Sequence, residues 1–480
     1  MNSKKEYRAK SRVKKYRSTR SKRKDKRRRL TKSKRGGTFS DVKNTMELNL
    51  RDKPNKLNEV LKSVCKNPDN CLALGYYGEV IKQYFDNFRN LSYVDRQDIK
   101  RLGAPSNNGF VLELPFRKND YTAYTVLKCA SSADSDNLFY EYYVGKYFIN
   151  ELIKQFPCFV ETYDCYEIAN RNTMRLIQSA SRDNTFLKIL FTKDIQLTDA
   201  LQLKNVVENN LNEFGNSCLK NSLNTVLIQH FDKFNTFADT YKNNSDNIKH
   251  EVLNIFYQLY FPLACLGDRY THYDLHASNV CLYKPYDGKQ YIQMKYHSRG
   301  QVYEFPSEYV VKIIDYGRNY FNNGKTDTGK IVAEVCKSLK CKPNCGEEQG
   351  YSILQGDYYD PNADFNYIMP NKPNTSHDLL LANNLKPYFD GLNMYNTFFY
   401  KTKYGTPPTT RTETYATDRN VYTMKDFVMS MESVINTINQ KKIRKKYDST
   451  WVCVAVMEIY DDGRDYSYTV LTAPTHDPAP

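Results

Sequence analysis

No stretch of 18 consecutive apolar residues occurs in the 480-residue chain, so no segment reads as a membrane-spanning helix. The first residues are charged from Lys4 onward and contain no apolar run, which argues against a secretory signal. The twelve cysteines lack the spacing of a disulfide framework and point to a reducing, intracellular compartment. Acidic groups are nearly missing from residues 1–36, where Glu6 and Asp25 stand against 19 Lys or Arg. The remaining 444 residues carry 51 basic and 52 acidic groups, so the formal +16 belongs to a tail and not to the body. That tail has neither periodicity nor apolar content to offset chain entropy, and residues 1–38 read as disordered, with Gly36-Gly37 as a junction. Three uses suit it: nonspecific contact with nucleic acid or another polyanion, a nuclear-import address at Lys22-Arg23-Lys24 and Lys26–Arg29, or plain solubility. Aromatic residues that could read bases are scarce there, so sequence-specific recognition is not expected.

What the chain does contain is concentrated in two places. The first is His272-Tyr273-Asp274-Leu275-His276-Ala277-Ser278-Asn279. The second is a β-branched run, Val310 to Ile314, that ends in Asp315-Tyr316-Gly317. An aspartate two places after a histidine, with an asparagine five further on, has the spacing of the H-R-D-L-x-x-x-N catalytic loop. Asp274 then serves as base for a substrate hydroxyl, while Asn279 and Asp315 offer two oxygen ligands to Mg²⁺ on a nucleotide. Asp315 stands 41 positions after Asp274, and the segment 283–308 between them is polar and Tyr-rich with turn signals at Asp287-Gly288 and Arg299-Gly300. It reads as an extended hairpin that projects outward without disturbing the site.

Upstream residues complete a nucleotide site. Gly75, Gly78 and Val80 fit the end of G-x-G-x-x-G-x-V, where glycines let a loop backbone close over phosphates. Thr125-Val126-Leu127-Lys128 reads as a strand whose lysine pairs with nucleotide phosphates, and Glu141, on a helical pattern from Asn137, is its natural carboxylate partner. Residues 84–118 read as an insertion between them. Thr225 to Phe231 reads as a buried strand leading into a hinge, with adenine bonding to backbone near Gln229 and Phe231 and His230 as a packing or hinge residue. Glu251 to Tyr260 has helical spacing, which Pro262 kinks or interrupts.

On these motifs the chain resembles the protein-kinase-like superfamily, and among its members the divergent serine/threonine kinases of large nucleocytoplasmic DNA viruses. Features similar to the viral group are Glu141-Tyr142-Tyr143-Val144-Gly145, the loop bearing His276, Asp315-Tyr316-Gly317-Arg318, and the cysteine-containing segment after it. The resemblance covers about residues 71–390 and implies an α+β, bilobal fold. Residues 71–231 would form a small lobe with inserts and 232–440 a large lobe. An N-terminal extension (39–70) precedes them. After them the residues themselves read as a basic linker and an appended β-hairpin (441–480), the strand-like Trp451–Tyr460 turning at Asp462-Gly463 into Asp465–Leu471. The resemblance implies an enzyme using ATP and Mg²⁺, in the cytoplasm or nucleus of an infected cell, with packaging into the virion as a further option. It also implies that Asp378 braces the backbone of the catalytic loop.

Three departures bear on the substrate. His276 stands where protein kinases usually place a lysine toward the transferred phosphate. Histidine there is similar to small-molecule kinases of the aminoglycoside or choline phosphotransferase type. No A-P-E sequence comes after Gly317, and the segment from Arg318 to Thr375 is long. Within it Cys336, Cys341 and Cys345 could supply three thiolates to zinc, although no fourth ligand lies nearby, or they are ordinary thiols. The acceptor is therefore the hydroxyl of a protein or of a small molecule, and a catalytically silent, nucleic-acid-binding pseudokinase is the nonenzymatic alternative.

Overall fold

The computed structural model describes residues 54–103, 109–130, 137–168, 170–205, 223–243, 248, 250–331, 345–346, 369–370, 373, 377–382, 385, 423–441 and 447–475. The basic tail, residues 39–53, Cys336, Cys341, the side chain of Cys345, the run from Lys442 to Lys446 and the last residues, 476–480, lie outside the described residues. The described portion mixes α and β elements in several sheets.

The largest sheet has six strands: β1 (Lys100–Leu102), β2 (Gly109–Lys118), β3 (Tyr121–Ala130), β4 (Thr162–Ile168), β5 (Gln202–Leu203) and β6 (Leu223–Gln229). Their order is β1-β2-β3-β6-β4-β5, antiparallel throughout. Alternation along β3 buries Tyr121, Ala123, Leu127 and Cys129 and turns Lys128 to the opposite, less buried face. The buried face is covered by helices α1 (Pro54–Val64), α2 (Pro68–Ala73) and α3 (Gly78–Tyr84). Leu61, Ile81 and Tyr84 join Leu112, Leu114 and Leu127 in one apolar cluster.

Two expectations change here. Gly75, Gly78 and Val80 do not lie in a loop between strands: Gly78 opens α3 and Val80 is buried within it. The cause is local. Asn67 caps α2, its side chain accepting the amides of Asp69 and Asn70, and Pro68 occupies the first helical position. Residues 84–118 are no detached insertion either, since they supply β1 and all of β2. The glycines flanking a strand connection are Gly103 and Gly109, and a methyl on Gly109 would run into the Cys129 carbonyl on β3. The cysteines are also not all free thiols, for Cys65 and Cys71 form a disulfide between the end of α1 and α2.

After β3 comes α4 (Asn137–Val144), which carries Glu141 and continues into a wider π-turn at Gly145–Ile149. Helices α5 (Arg171–Ala180) and α6 (Asn184–Ile189) lie between β4 and β5. Beyond β6 the chain forms β7 (Phe234–Thr236), α7 (Phe237–Asn243) and α8 (Val252–Leu266). Helix α8 is buried over most of its length and continuous through Pro262, so the proline does not interrupt it. Its polar side chains position a downstream strand. Gln258 accepts the Val311 amide and donates to Ser307 and to the Tyr309 carbonyl, fixing β12 (Val310–Ile313) beside the helix. Strand β12 pairs with β9 (Val280–Tyr283), which pairs with β7, while β8 (Tyr270–Thr271) pairs with β13 (Tyr320–Phe321).

The segment between β9 and β12 is a hairpin, β10 (Gln290–Ser298) and β11 (Gln301–Ser307), turning at Arg299-Gly300 with both residues at positive φ. It does not project freely. The C-terminal strands β16 (Val452–Tyr460) and β17 (Ser467–Thr475) form their own hairpin, and β16 adds in parallel to β10. The resulting sheet, β11-β10-β16-β17, buries Met294, Tyr296, Phe305, Met457 and Ile459 in the apolar core shared with α8 and α9 (Met424–Lys441). A two-residue parallel contact joins β14 (Cys345–Gly346) and β15 (Met369–Pro370).

Lys312, at the centre of β12, is 1% exposed, and its ammonium donates to the carbonyls of Ala73 and Pro157, both at 2.6 Å. Burial pushes it down from 10.5 to about 7. The unfolded chain then holds more protons than the folded one between those values, so this residue's contribution to stability rises as pH climbs from 7 toward 10.5. The melting temperature of Lys312→Met relative to the parent should therefore shift in the variant's favour as pH is lowered from 9.5 to 6. A pH-independent difference between the two proteins would contradict the burial argument.

Candidate active site

The loop from His272 to Asn279 is held from below. Asp378 is 1% exposed, and its carboxylate accepts the amides of His272 at 2.8 Å and Tyr273 at 3.0 Å. Its own carbonyl accepts the Tyr260 hydroxyl of α8. These bonds hold Tyr273 at a φ of 60°, a conformation that a bulky side chain rarely adopts unless its surroundings enforce it. His272 is fully buried. Its Nδ1 accepts the Asp274 amide, and its Nε2 lies 3.1 Å from the Ile314 carbonyl, so one neutral tautomer satisfies both contacts. Burial outweighs the nearby Asp378, Asp274 and Asp315 carboxylates and pushes its pKa down, which favours that neutral form.

The two sequence motifs meet through short bonds. The Asn279 side-chain amide donates to the Asp274 carbonyl at 2.9 Å, and the Asn279 carbonyl accepts the Ile314 amide at 3.0 Å. Asp274, Asn279 and Asp315 are thereby brought together despite the hairpin between them. Asp315 has a φ of 71°, and beside it the Tyr316 hydroxyl accepts the Val160 amide and donates to the Ile313 carbonyl.

Lys128 connects the sheet to this loop. Its ammonium lies 2.6 and 2.7 Å from the two Glu141 oxygens and 3.3 Å from Asp315 Oδ1. The Glu141 side chain is 4% exposed and that of Asp315 is 43% exposed, so one carboxylate is buried and the other is open to solvent. Burial disfavours the Lys128 charge, but Asp315 and Glu141 outweigh it and raise its pKa. Lys128 in turn lowers that of Asp315 against the opposing effect of burial. Burial pushes Glu141 up to about 7 in spite of its lysine. Asp315 thus stands as an anionic carboxylate beside a fixed cation.

Other residues singled out from the sequence fall elsewhere. His276 is exposed on the loop and its Nδ1 accepts the Ser278 amide. Gln229 ends β6, where its backbone amide donates to the Glu161 carbonyl and its side chain accepts the Glu161 amide. Phe231 is buried against Phe234 and Tyr283. Gly75 and Gly78 line a separate cavity with Lys82, Glu161, Gln229, Lys312 and Tyr466, which includes neither Lys128 nor Asp315.

The ion contacts of two residues were not read from the sequence. His230 lies 3.1 Å from both Asp69 and Glu113, which outweigh its burial and push it up to about 9. Only folding brings those two carboxylates to it. Arg318, visible directly after Asp315-Tyr316-Gly317, reaches within 3.5 Å of Asp274 Oδ1.

No family model matches this sequence, and comparison with curated proteins returns no match. Among the described residues no three His, Cys, Asp or Glu side chains cluster as a metal-binding group, and no helix is long and apolar enough to cross a membrane. Asn279 and Asp315 still fit a hard cation that retains water. With its amide nitrogen committed to the Asp274 carbonyl, Asn279 has its side-chain oxygen left to offer, and its backbone is bonded to Ile314, the residue before Asp315.

Replacing Asp378 by Ala strands two buried amide donors and should cost about 3 kcal/mol or more. Urea unfolding measures this, and a loss below about 1 kcal/mol would show that the loop does not lean on Asp378.

Proposed function

We propose that the chain is an ATP- and Mg²⁺-dependent phosphotransferase acting on an alcohol group, and that its acceptor is serine or threonine on protein. The observation that carries this reading is the Lys128 ammonium held at once by Glu141 and by Asp315, next to Asp274 and Asn279. A surface lysine pairing at random would not join a strand and its neighbouring helix to a turn 187 residues further along the sequence. The resemblance of the same residues to divergent viral serine/threonine kinases supports the choice of acceptor.

Magnesium bound at Asn279 and Asp315 would neutralise phosphate charge and orient the nucleotide. Lys128, kept cationic by its two carboxylates, binds the phosphates as a point charge. Glu141 fixes the reach of that lysine. Asp274 orients the acceptor hydroxyl and takes its proton, and the bond from Asn279 keeps the loop backbone at Asp274 from shifting. Positioning and charge, not covalent chemistry, supply the rate.

Mg-ATP should raise the melting temperature of the parent, with about 2.7 kcal/mol of stabilisation at a hundredfold excess over Kd. Asp315→Asn should lose most of that gain. Asp274→Asn should keep it while kcat falls about 100-fold or more. Transfer by Asp315→Asn at the parent's rate would end this reading. A parallel screen with labelled ATP against protein extracts and against amino-alcohol and sugar pools decides between protein and small-molecule acceptors.

A further inference from the structure

Phosphoryl transfer gathers negative charge where this site already holds Asp274 and Asp315. Lys128 is committed to Glu141 and Asp315. His276 lies on the same loop as Asp274, but its Nδ1 is taken up by the Ser278 amide and its ring is solvent-exposed. A cation is needed on the Asp274 side of the cleft.

Arg318 is placed to supply it. Its Nη1 is 3.5 Å from Asp274 Oδ1, and the two side chains are equally, and only partly, exposed at 23%. Its direction is set by the residues around it. Tyr316 is pinned through its hydroxyl to Val160 and Ile313, and its carbonyl accepts the Asn319 amide. The Asn319 carbonyl accepts the Tyr140 hydroxyl from α4 at 2.6 Å, and the Asn319 side chain bonds the Tyr270 hydroxyl. Arg318 therefore springs from a short stretch tied down on both sides, unlike a free surface arginine. A guanidinium also offers a planar fork that holds a carboxylate and phosphoryl oxygens together, which a lysine ammonium cannot reproduce.

Resting on the phosphotransferase reading, we propose that Arg318 is a catalytic residue that holds the Asp274 carboxylate and presents its charge to the phosphoryl group in flight. In the step it serves, the acceptor oxygen bonds to the γ-phosphorus while the bond to the β,γ-bridging oxygen breaks. The electron pair of that bond leaves with ADP, and the acceptor proton passes to Asp274. Arg318 forms no covalent bond. Its contribution belongs to the transition state, so its loss should appear in kcat and not in KM for ATP.

The test uses the full chain with Mg-ATP as the probe, following labelled phosphate onto the protein itself and release of inorganic phosphate. Arg318→Met keeps the aliphatic stem and removes the charge. It should lower kcat about 100-fold while KM for ATP stays within about twofold and nucleotide-induced stabilisation is kept. Arg318→Lys should recover part of the rate, and added methylguanidinium should partly rescue Arg318→Met, which a merely structural role would not permit. An active parent with Arg318→Met within about threefold of its kcat overturns the role of Arg318 alone. So does a loss of rate that neither lysine nor methylguanidinium restores. A parent that neither transfers phosphate nor is stabilised by Mg-ATP overturns the phosphotransferase reading, and this inference falls with it.

Discussion

The ammonium of Lys128 is the point on which three parts of the chain converge. The helix that carries Glu141 and the turn that carries Asp315 are 13 and 187 residues from it in sequence, yet all three groups meet within 3.3 Å. Lys128 or Glu141 alone would be costly in this position, because an unpaired charge shielded from water loses its hydration without recompense. Together they form a charge network with one carboxylate buried and the other open to solvent. Breaking one partner of such a network typically costs about 3–5 kcal/mol, so the network fixes where sheet, helix and loop stand.

The surrounding scaffold repeats that economy with groups that do not meet the cleft. Asp378 satisfies two loop amides, His272 bridges the loop to Ile314, and the Tyr316 hydroxyl ties the turn to Val160. All three side chains are buried. Their bonds restrain the backbone on either side of Asp274 and Asp315, leaving those two carboxylates partly exposed and free to meet a ligand.

Local pattern pointed to the residues that gather around Lys128 and Asn279: the H-x-D-x₄-N spacing, the β-branched run into Asp315-Tyr316-Gly317, and the alternation that sets Lys128 apart from Leu127 all act over a few residues. The C-terminal hairpin was equally readable from its alternation and the Asp462-Gly463 turn. The glycine loop was misread because Gly75 and Gly78 satisfy a spacing, while the Asn67 cap and Pro68 just upstream commit that stretch to helix. The ion contacts of His230 were not readable, since Asp69 and Glu113 reach it only through tertiary packing. The same holds for Lys312, whose carbonyl partners Ala73 and Pro157 lie 239 and 155 residues upstream.

The parallel pairing of β10 with β16 has a consequence for how the chain is made. Val452 adds to Gln290 from 162 residues further along, so at 5–20 residues per second a nascent β10 waits roughly 8 to 30 seconds for its neighbour. Until then one edge of the insert hairpin presents unpaired backbone beside Met294 and Tyr296, a surface prone to misassociation. Biogenesis of this protein should accordingly lean on chaperones during the last third of translation, and premature termination there should yield aggregates in place of a soluble fragment.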